Sequence, residues 1–221
     1  MKTLLYVLSL LMPWPVRRLI LVKVFRYEID PTAKIGIGWI RPAALRLGPG
    51  ARIGHLNVVK GLNRLEMGRN TIIGPLNWIS AFPTGHERHF AHIKGRETTL
   101  TLDDEAAITS RHFIDCTCPV RIGRFTTLAG YRTQILTHSI NLQDGRQDAH
   151  PIEIGEYCFV GTACTILGGA KLPSYSVLGA NSLLAKALAE EGVLYAGVPA
   201  RKVKEIDRNG KYFTRREGFV Y

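Results

Sequence analysis

Apolar residues return at every sixth position through most of the chain. The longest train is Ile154, Val160, Ile166, Leu172, Leu178 and Leu184. Four residues after each of the first five stands a small residue: Cys158, Cys164, Ala170, Ser176 and Ser182. A second train runs Ile29, Ile35, Leu47, Ile53, Val59 and Leu65, broken only at Arg41, and slips by two to Met67, Ile73 and Ile79. A third runs Leu102, Ile108, Ile114 and Val120 and slips likewise to Ile122 and Leu128. Gly directly follows many of these aliphatic residues, Ile35, Ile53, Ile122 and Ile154 among them. Six residues are too few for a helical repeat but fit one short strand and one corner. The aliphatic side chain then points into a narrow interior, and a small residue sits where the chain turns. Coils of this kind bury their core only against neighbouring coils. The pattern predicts an all-β fold, a parallel β-solenoid over residues 29–187, with Gly tolerating the unusual dihedrals of its corners.

The period fails in places that define the organisation. Residues 1–28 form an apolar and basic helical segment, and residues 188–221 a basic C-terminal tail with a short helix. Two polar stretches interrupt the solenoid as loop insertions, near residues 81–99 and 138–151. The run at residues 1–12 looks like a signal peptide but is followed by Pro13-Trp14-Pro15 and Arg17-Arg18, not by a small-residue cleavage site. It is also well short of the roughly 20 residues that span a bilayer. Two readings of residues 1–27 stand: a helical hairpin packed on the protein or another subunit, or peripheral contact with an anionic membrane surface.

Composition sharpens this picture. With 221 residues the chain suits one domain with terminal appendages. Its formal charge of +11 first points to nucleic acid, anionic membrane or phosphorylated small molecules. The excess, however, lies at the ends. Residues 1–30 carry five basic and two acidic side chains, and residues 199–221 carry seven and three. With no recognition helix or aromatic RNA platform, a nucleic-acid partner is not expected. The four Cys form no zinc framework. Cys116 and Cys118 are too close for an ordinary disulfide, which favours reduced, buried thiols and a cytoplasmic protein, with the inner face of the membrane as its one other association.

The repeat resembles the hexapeptide repeats of the left-handed β-helix acyltransferases, and the left hand is implied by that resemblance alone. The stretch YCFVGTACTILGGAKLPSYSVLGANSLLAKAL, followed by AGVPARKVKEI, is similar to the galactoside, maltose and nodulation-factor O-acetyltransferase branch and to surface-polysaccharide acetyltransferases of the colanic acid type. The resemblance implies a homotrimer, acetyl-CoA as cosubstrate in the groove between neighbouring prisms, and no metal.

Moving an acetyl group from a thioester to a hydroxyl needs a base for the hydroxyl proton and a cradle for the donor. No G-x-S-x-G is present, so direct transfer with a His base is more economical than an acyl-enzyme. His138 stands where the repeat breaks into a polar excursion, about where the family places its catalytic His, and is the expected general base. Asp144, Asp148 and His150 are candidates to orient it or solvated loop residues. Arg111, His112 and Asp115 lie on the coil that helps to bind acceptor in the family, with a structural corner as the competing reading of His112. By position in the resemblance, Thr162 and Ala180 hold the pantetheine arm through the main chain, while Arg201 and Lys204 hold the phosphates of CoA. Lys202 is their neighbour, and Ala185 stands where many relatives place a Thr. His86, His89 and His92 form a spaced cluster. Related γ-class carbonic anhydrases bind metal through three His, but on coils, so here a solvated or acceptor-binding loop is expected. Cys158 and Cys164 read as core.

The expected function is O-acetyl transfer to a sugar hydroxyl of a cell-surface glycan or its precursor. The alternatives are a small acceptor (serine, an antibiotic or an amino sugar) and a non-catalytic or metal-binding trimeric solenoid.

Overall fold

The computed structural model describes residues 1–218 and 220. Three parallel sheets form the faces of a prism. The first runs from Glu28–Ile29 to Lys171–Leu172, the second begins at Lys34–Ile35, and the third runs from Trp39–Arg41 to Leu183–Leu184. Each turn of chain contributes one strand to each face, and the register stacks the aliphatic trains into ladders. In the second sheet Ile35 pairs with Ile53, Ile53 with Ile73, Ile73 with Ile108, Ile108 with Leu128, Leu128 with Val160, and Val160 with Leu178. In the third, Ile40, Val59, Ile79, Ile114, Ile135, Ile166 and Leu184 align in the same way. All of these side chains are buried, each contributing about 1.5–3 kcal/mol by leaving water.

The irregularities of the six-residue pattern have local causes. Several first-sheet strands turn two aliphatic residues inward, as at Leu45 and Leu47 or Leu65 and Met67, which produces the slip by two. At the failed position, Ile40 takes the inward slot and Arg41 lies beside it, over the Tyr6, Phe25 and Trp39 rings.

The Gly residues that follow the aliphatics serve a different purpose from the one the pattern predicts. Positive φ at the corners falls largely on other residues, including Leu56, Leu76, Arg111, Phe125, Tyr157 and Asn181. The post-aliphatic Gly are needed because the next coil passes too close. A Cβ on Gly123 would lie 2.5 Å from the carbonyl carbon of Gly155, and one on Gly54 would lie 2.8 Å from that of Gly74.

Inside the corner before the third sheet, polar side chains take up backbone donors from coil to coil. Asn57 Oδ1 accepts from the Asn77 N–H, Asn77 Oδ1 from the His112 N–H, and His112 Nδ1 from the Thr133 N–H. Such pairing is what allows polar groups to sit fully buried there.

Both ends of the prism are covered. At the first coil, α1 (Lys2–Ser9) and α2 (Trp14–Lys23) pack as a hairpin. The Tyr6 hydroxyl donates to the Gly38 carbonyl at 2.9 Å and accepts from the Ile40 N–H, while Arg17 Nη1 donates to the Ile35 and Gly36 carbonyls. At the other end the structure corrects the expected tail. Strand continues past residue 187: Val193–Ala196 adds in parallel to the second sheet and pairs antiparallel with Arg201–Glu205. The helix of the tail is only the single turn α3 (Lys211–Thr214). Beyond it the chain runs back along the solenoid, where the Gly218 N–H donates to Glu105.

Gly123→Ala is expected to force residues 155–156 to shift and to cost about 1–3 kcal/mol. In thermal denaturation this lowers the midpoint by about 3–10 °C. An unchanged melting curve would contradict the close approach of the coils.

Candidate active site

Two insertions leave the third sheet at the same corner. One follows Ser80, and the other follows Leu136 and Thr137. The strand between them in the stack is Phe113–Asp115, whose Asp115 pairs in register with Ser80 on one side and Leu136 on the other. Residues separated by tens of positions in the chain therefore meet at one edge.

Asp115 is the centre of this edge. Its Oδ2 accepts from the Thr137 N–H (2.9 Å), the Thr137 hydroxyl (2.5 Å), the His138 N–H (3.2 Å) and His138 Nδ1 (2.8 Å). Its Oδ1 accepts from the Thr117 hydroxyl and N–H. Burial alone would raise the Asp115 pKa. The hydrogen bonds from His138, Thr117 and Thr137 outweigh that and hold it below the ordinary carboxylate value. The contact with Asp115 in turn raises the His138 pKa, with partial burial opposing. The side chain of His138 is 38 % exposed and that of Asp115 only 12 %. With Nδ1–H committed to the carboxylate, neutral His138 carries its lone pair on Nε2, which has no protein partner among the described residues.

The insertions build walls around this pair. His138–Asn141 and Arg146–Ala149 form an antiparallel hairpin. The 81–99 insertion folds against it: Phe90 meets the His138 ring edge-on at 5.9 Å and packs with Cys118 and Ala149. Arg96 fixes the base of the insertion, donating to the Thr117 and Phe82 carbonyls while lying 4.6 Å from the Phe90 ring centre. Across the top, His89 Nδ1 meets Gln147 at 3.0 Å and His92 Nε2 meets Asp148 at 3.4 Å. The spaced His are thus part of a clasp between insertions, with the His86 ring tilted against that of His89 at 4.7 Å. No group of three or more His, Cys, Asp or Glu among the described residues is arranged to hold a metal ion.

The orienting residue is Asp115, not one of the acidic residues in the excursion. Asp144 pairs with Arg146 and Asn141, and Asp148 with His92 and His150. His112 is a corner residue. It is fully buried, Nδ1 accepts from Thr133, Nε2 faces the Thr109 hydroxyl at 2.9 Å, and burial pushes its pKa down to about 4. No ring nitrogen is left for an acceptor. Arg111 lies exposed at a positive-φ corner on the opposite edge of the third sheet from His138.

Thr162 and Ala180 also lie on that opposite edge. Their N–H groups donate to no acceptor among the described residues, and the coils there lie close together. A Cβ on Gly161 would touch Ala180 N at 2.6 Å, and one on Gly179 would lie 3.0 Å from the Ala196 Cβ. Spare donors beside small residues fit a thin amide-bearing arm. Arg201 pairs with Ala196 and Lys204 with Leu194, with a register shift between them. Opposed residues share a face. Because Ala196 and Leu194 are two apart, the shift turns Arg201 and Lys204 to the same side. Neither forms an ion pair among the described residues, whereas Lys202 is held by Glu190 at 2.6 Å. Of the three cations on this strand, those two are the ones without an ion pair among the described residues. All four Cys are buried as free thiols, and Cys158 and Cys164 donate to carbonyls in the wall.

No protein-family model matches the chain. It is 32% identical over 71 residues to a galactoside O-acetyltransferase of Escherichia coli (strain K12), covering 32% of this chain and about a third (34%) of that relative's length. Among solved structures it superposes on the polysialic acid O-acetyltransferase OatWY with a TM-score of 0.58, at 19% identity over 81% of this chain and 84% of that one. On AntD, an N-acyltransferase from Bacillus cereus solved as a point mutant with dTDP and coenzyme A, the TM-score is 0.50, at 17% identity over 87% and 89%. The fold is the left-handed parallel β-helix, and the chain resembles the hexapeptide-repeat acyltransferases built on it.

The His138–Asp115 pair has a direct spectroscopic consequence. Followed by NMR, the His138 ring should titrate above the ordinary value of about 6.5, and Asp115→Asn should lower that midpoint. His112 should remain neutral until about pH 4. Equal His138 midpoints in the two proteins would show that the carboxylate does not act on the imidazole.

Proposed function

We propose that the protein is an acetyl-CoA-dependent O-acetyltransferase acting on a sugar hydroxyl of a cell-surface glycan or its precursor. The observation that carries the reading is the Asp115–His138 pair, with Nε2 unpartnered beneath two insertions. His138 Nε2 takes the proton of the acceptor hydroxyl as that oxygen bonds to the acetyl carbon. The C–S bond breaks, and His138 returns the proton to the departing sulfur. Asp115 stays ionised, fixes the Nδ1–H tautomer and stabilises the imidazolium while the proton is held. The donor, when bound, supplies the acetyl group as an activated thioester. Thr162 and Ala180 line its arm, and Arg201 and Lys204 answer its phosphates. The similarity to a galactoside O-acetyltransferase supports both the acetyl donor and a sugar acceptor.

The same layout supports a homotrimer. His138 and the groove at Thr162 and Ala180 occupy different edges of one prism, separated by the width of the third sheet, about 10 Å of strand. One copy's His138 edge has to meet another copy's groove edge for the two to share a donor. The outer surface between those edges carries exposed Trp78, Phe113 and Tyr131, apolar surface suited to a second copy. Residues 1–27 would turn toward the membrane, where a lipid-linked glycan precursor is held.

His138→Ala should lower kcat for thiol release from acetyl-CoA by about 10²–10⁴-fold, and near wild-type turnover would exclude it as the base. The acid limb of the pH–rate profile should move to lower pH in Asp115→Asn, because the raised His138 pKa falls when its anionic partner is lost. Arg201→Ala with Lys204→Ala should raise KM for acetyl-CoA by about tenfold or more, yet leave acetyl-pantetheine, which lacks those phosphates, unaffected. An equal effect on both donors would remove the phosphate assignment. Co-expressing inactive His138→Ala and Ala180→Trp chains should restore about a quarter of wild-type activity if sites form between subunits. No recovery would place each site within one chain.

A further inference from the structure

The helical hairpin at the first coil is amphipathic in the wrong sense for a helix facing water. In α1 the buried positions are Tyr6 and Ser9, and the Ser9 hydroxyl bonds back to the Tyr6 carbonyl. The outward stripe is Leu4, Val7 and Leu8, continued by Leu11 in the turn after the helix, with Leu4 65% and Leu11 87% exposed. In α2 the inward positions are Arg17 and Leu21, while Val16 and Leu19 are exposed, sharing a face with Lys23. Both helices bond inward to the first coil, through Tyr6 to Gly38 and Ile40 and through Arg17 to Ile35 and Gly36. Their apolar stripes therefore face away from the prism together.

We propose that this face docks on an anionic bilayer surface, with both helices lying in the interfacial plane. Charge decides between the possible occupants. Residues 1–27 contain five basic side chains and no acidic one. Lys2 is exposed at the start of α1, and Lys23 and Arg26 are exposed at the end of α2. Leu and Val inserted at the headgroup boundary with Lys and Arg at the margin is the arrangement an anionic leaflet attracts. A second copy meeting this face through a two-fold axis would bring two such cationic patches together without an acidic partner. Neither helix is long enough to cross a bilayer, and no described helix is long and apolar enough to do so. The contact is therefore interfacial and reversible. It deepens the membrane-near acceptor of the proposed function but does not require the transferase chemistry.

The test is co-sedimentation of the full chain with vesicles of phosphatidylcholine alone or with about 30% phosphatidylglycerol. Binding is expected to the anionic vesicles and to weaken as salt is raised. Leu4→Ser with Leu8→Ser and Leu11→Ser should weaken it about tenfold or more, with acetyl-CoA-dependent melting unchanged as evidence of intact fold. Lys23→Gln with Arg26→Gln should lower binding to anionic vesicles by several-fold, with no effect on the weak binding to neutral ones. Wild-type chain that stays in the supernatant with anionic vesicles overturns the proposal. So does an apolar-face variant that binds as wild type, or one whose only change is dissociation of a larger assembly in sedimentation velocity. Loss of acetyl transfer with vesicle binding retained would fail the enzymatic reading alone.

Discussion

Everything in this molecule is subordinate to the stacking of one coil on the next. Parallel strands in register leave so little room at the post-aliphatic corners that a single added carbon would meet main chain, as at Gly123 against Gly155. That constraint aligns the aliphatic ladders of three faces and brings Asn57, Asn77, His112 and Thr133 into a column of donors and acceptors. It also leaves an open strand edge at each end of the prism, a surface that soluble proteins must cover. Here α1 and α2 cover one end, and the Val193–Ala196 and Arg201–Glu205 hairpin the other.

Chemistry is confined to what projects from this frame. Asp115 takes six hydrogen bonds from Thr117, Thr137 and His138, an arrangement that keeps a mostly buried carboxylate charged at neutral pH. The carboxylate belongs to the rigid strand Phe113–Asp115, whereas His138 opens the projecting hairpin. An imidazole held by an anion on the frame keeps its tautomer and direction even though the rest of its element is loop-like. The small residues on the other edge depend on the frame too, since the coils there touch at Gly161 and Gly179.

The ladders were legible in the sequence because inward positions on short strands recur with the period of the corner. Even the slip by two carried information, as the mark of first-sheet strands with two inward residues. His138 could be picked out because it stands where the repeat breaks. Its partner could not, because Asp144 and Asp148 in the same excursion were equally plausible by proximity along the chain. Asp115 lies a full coil earlier, and only the register of Asp115 with Leu136 brings it beside His138. Counting back one coil from the residue before Thr137-His138 would have found it. The role given to Gly failed for another reason: the cost of left-handed corners, about 1 kcal/mol each, is borne by Leu, Arg, Phe and Tyr, while close approach between coils leaves no trace in local dihedral preference. The strand at Arg201–Glu205 was hidden by its charge, since every one of its residues is exposed.

The two insertions that flank Asp115 have a consequence for how such a protein can diversify. They are separate in sequence, yet they emerge from the coils on either side of the Asp115 strand and close on each other above it. Their lengths and side chains can change without disturbing a ladder, because the chain re-enters the stack at the same place whatever it does in between. Asp115 stays with the scaffold while the walls around it are free to drift. Selection for a new acceptor would therefore act on residues 81–99 and 138–151 almost independently of selection for folding, and point changes there should alter which molecule is modified well before they alter whether the protein stands.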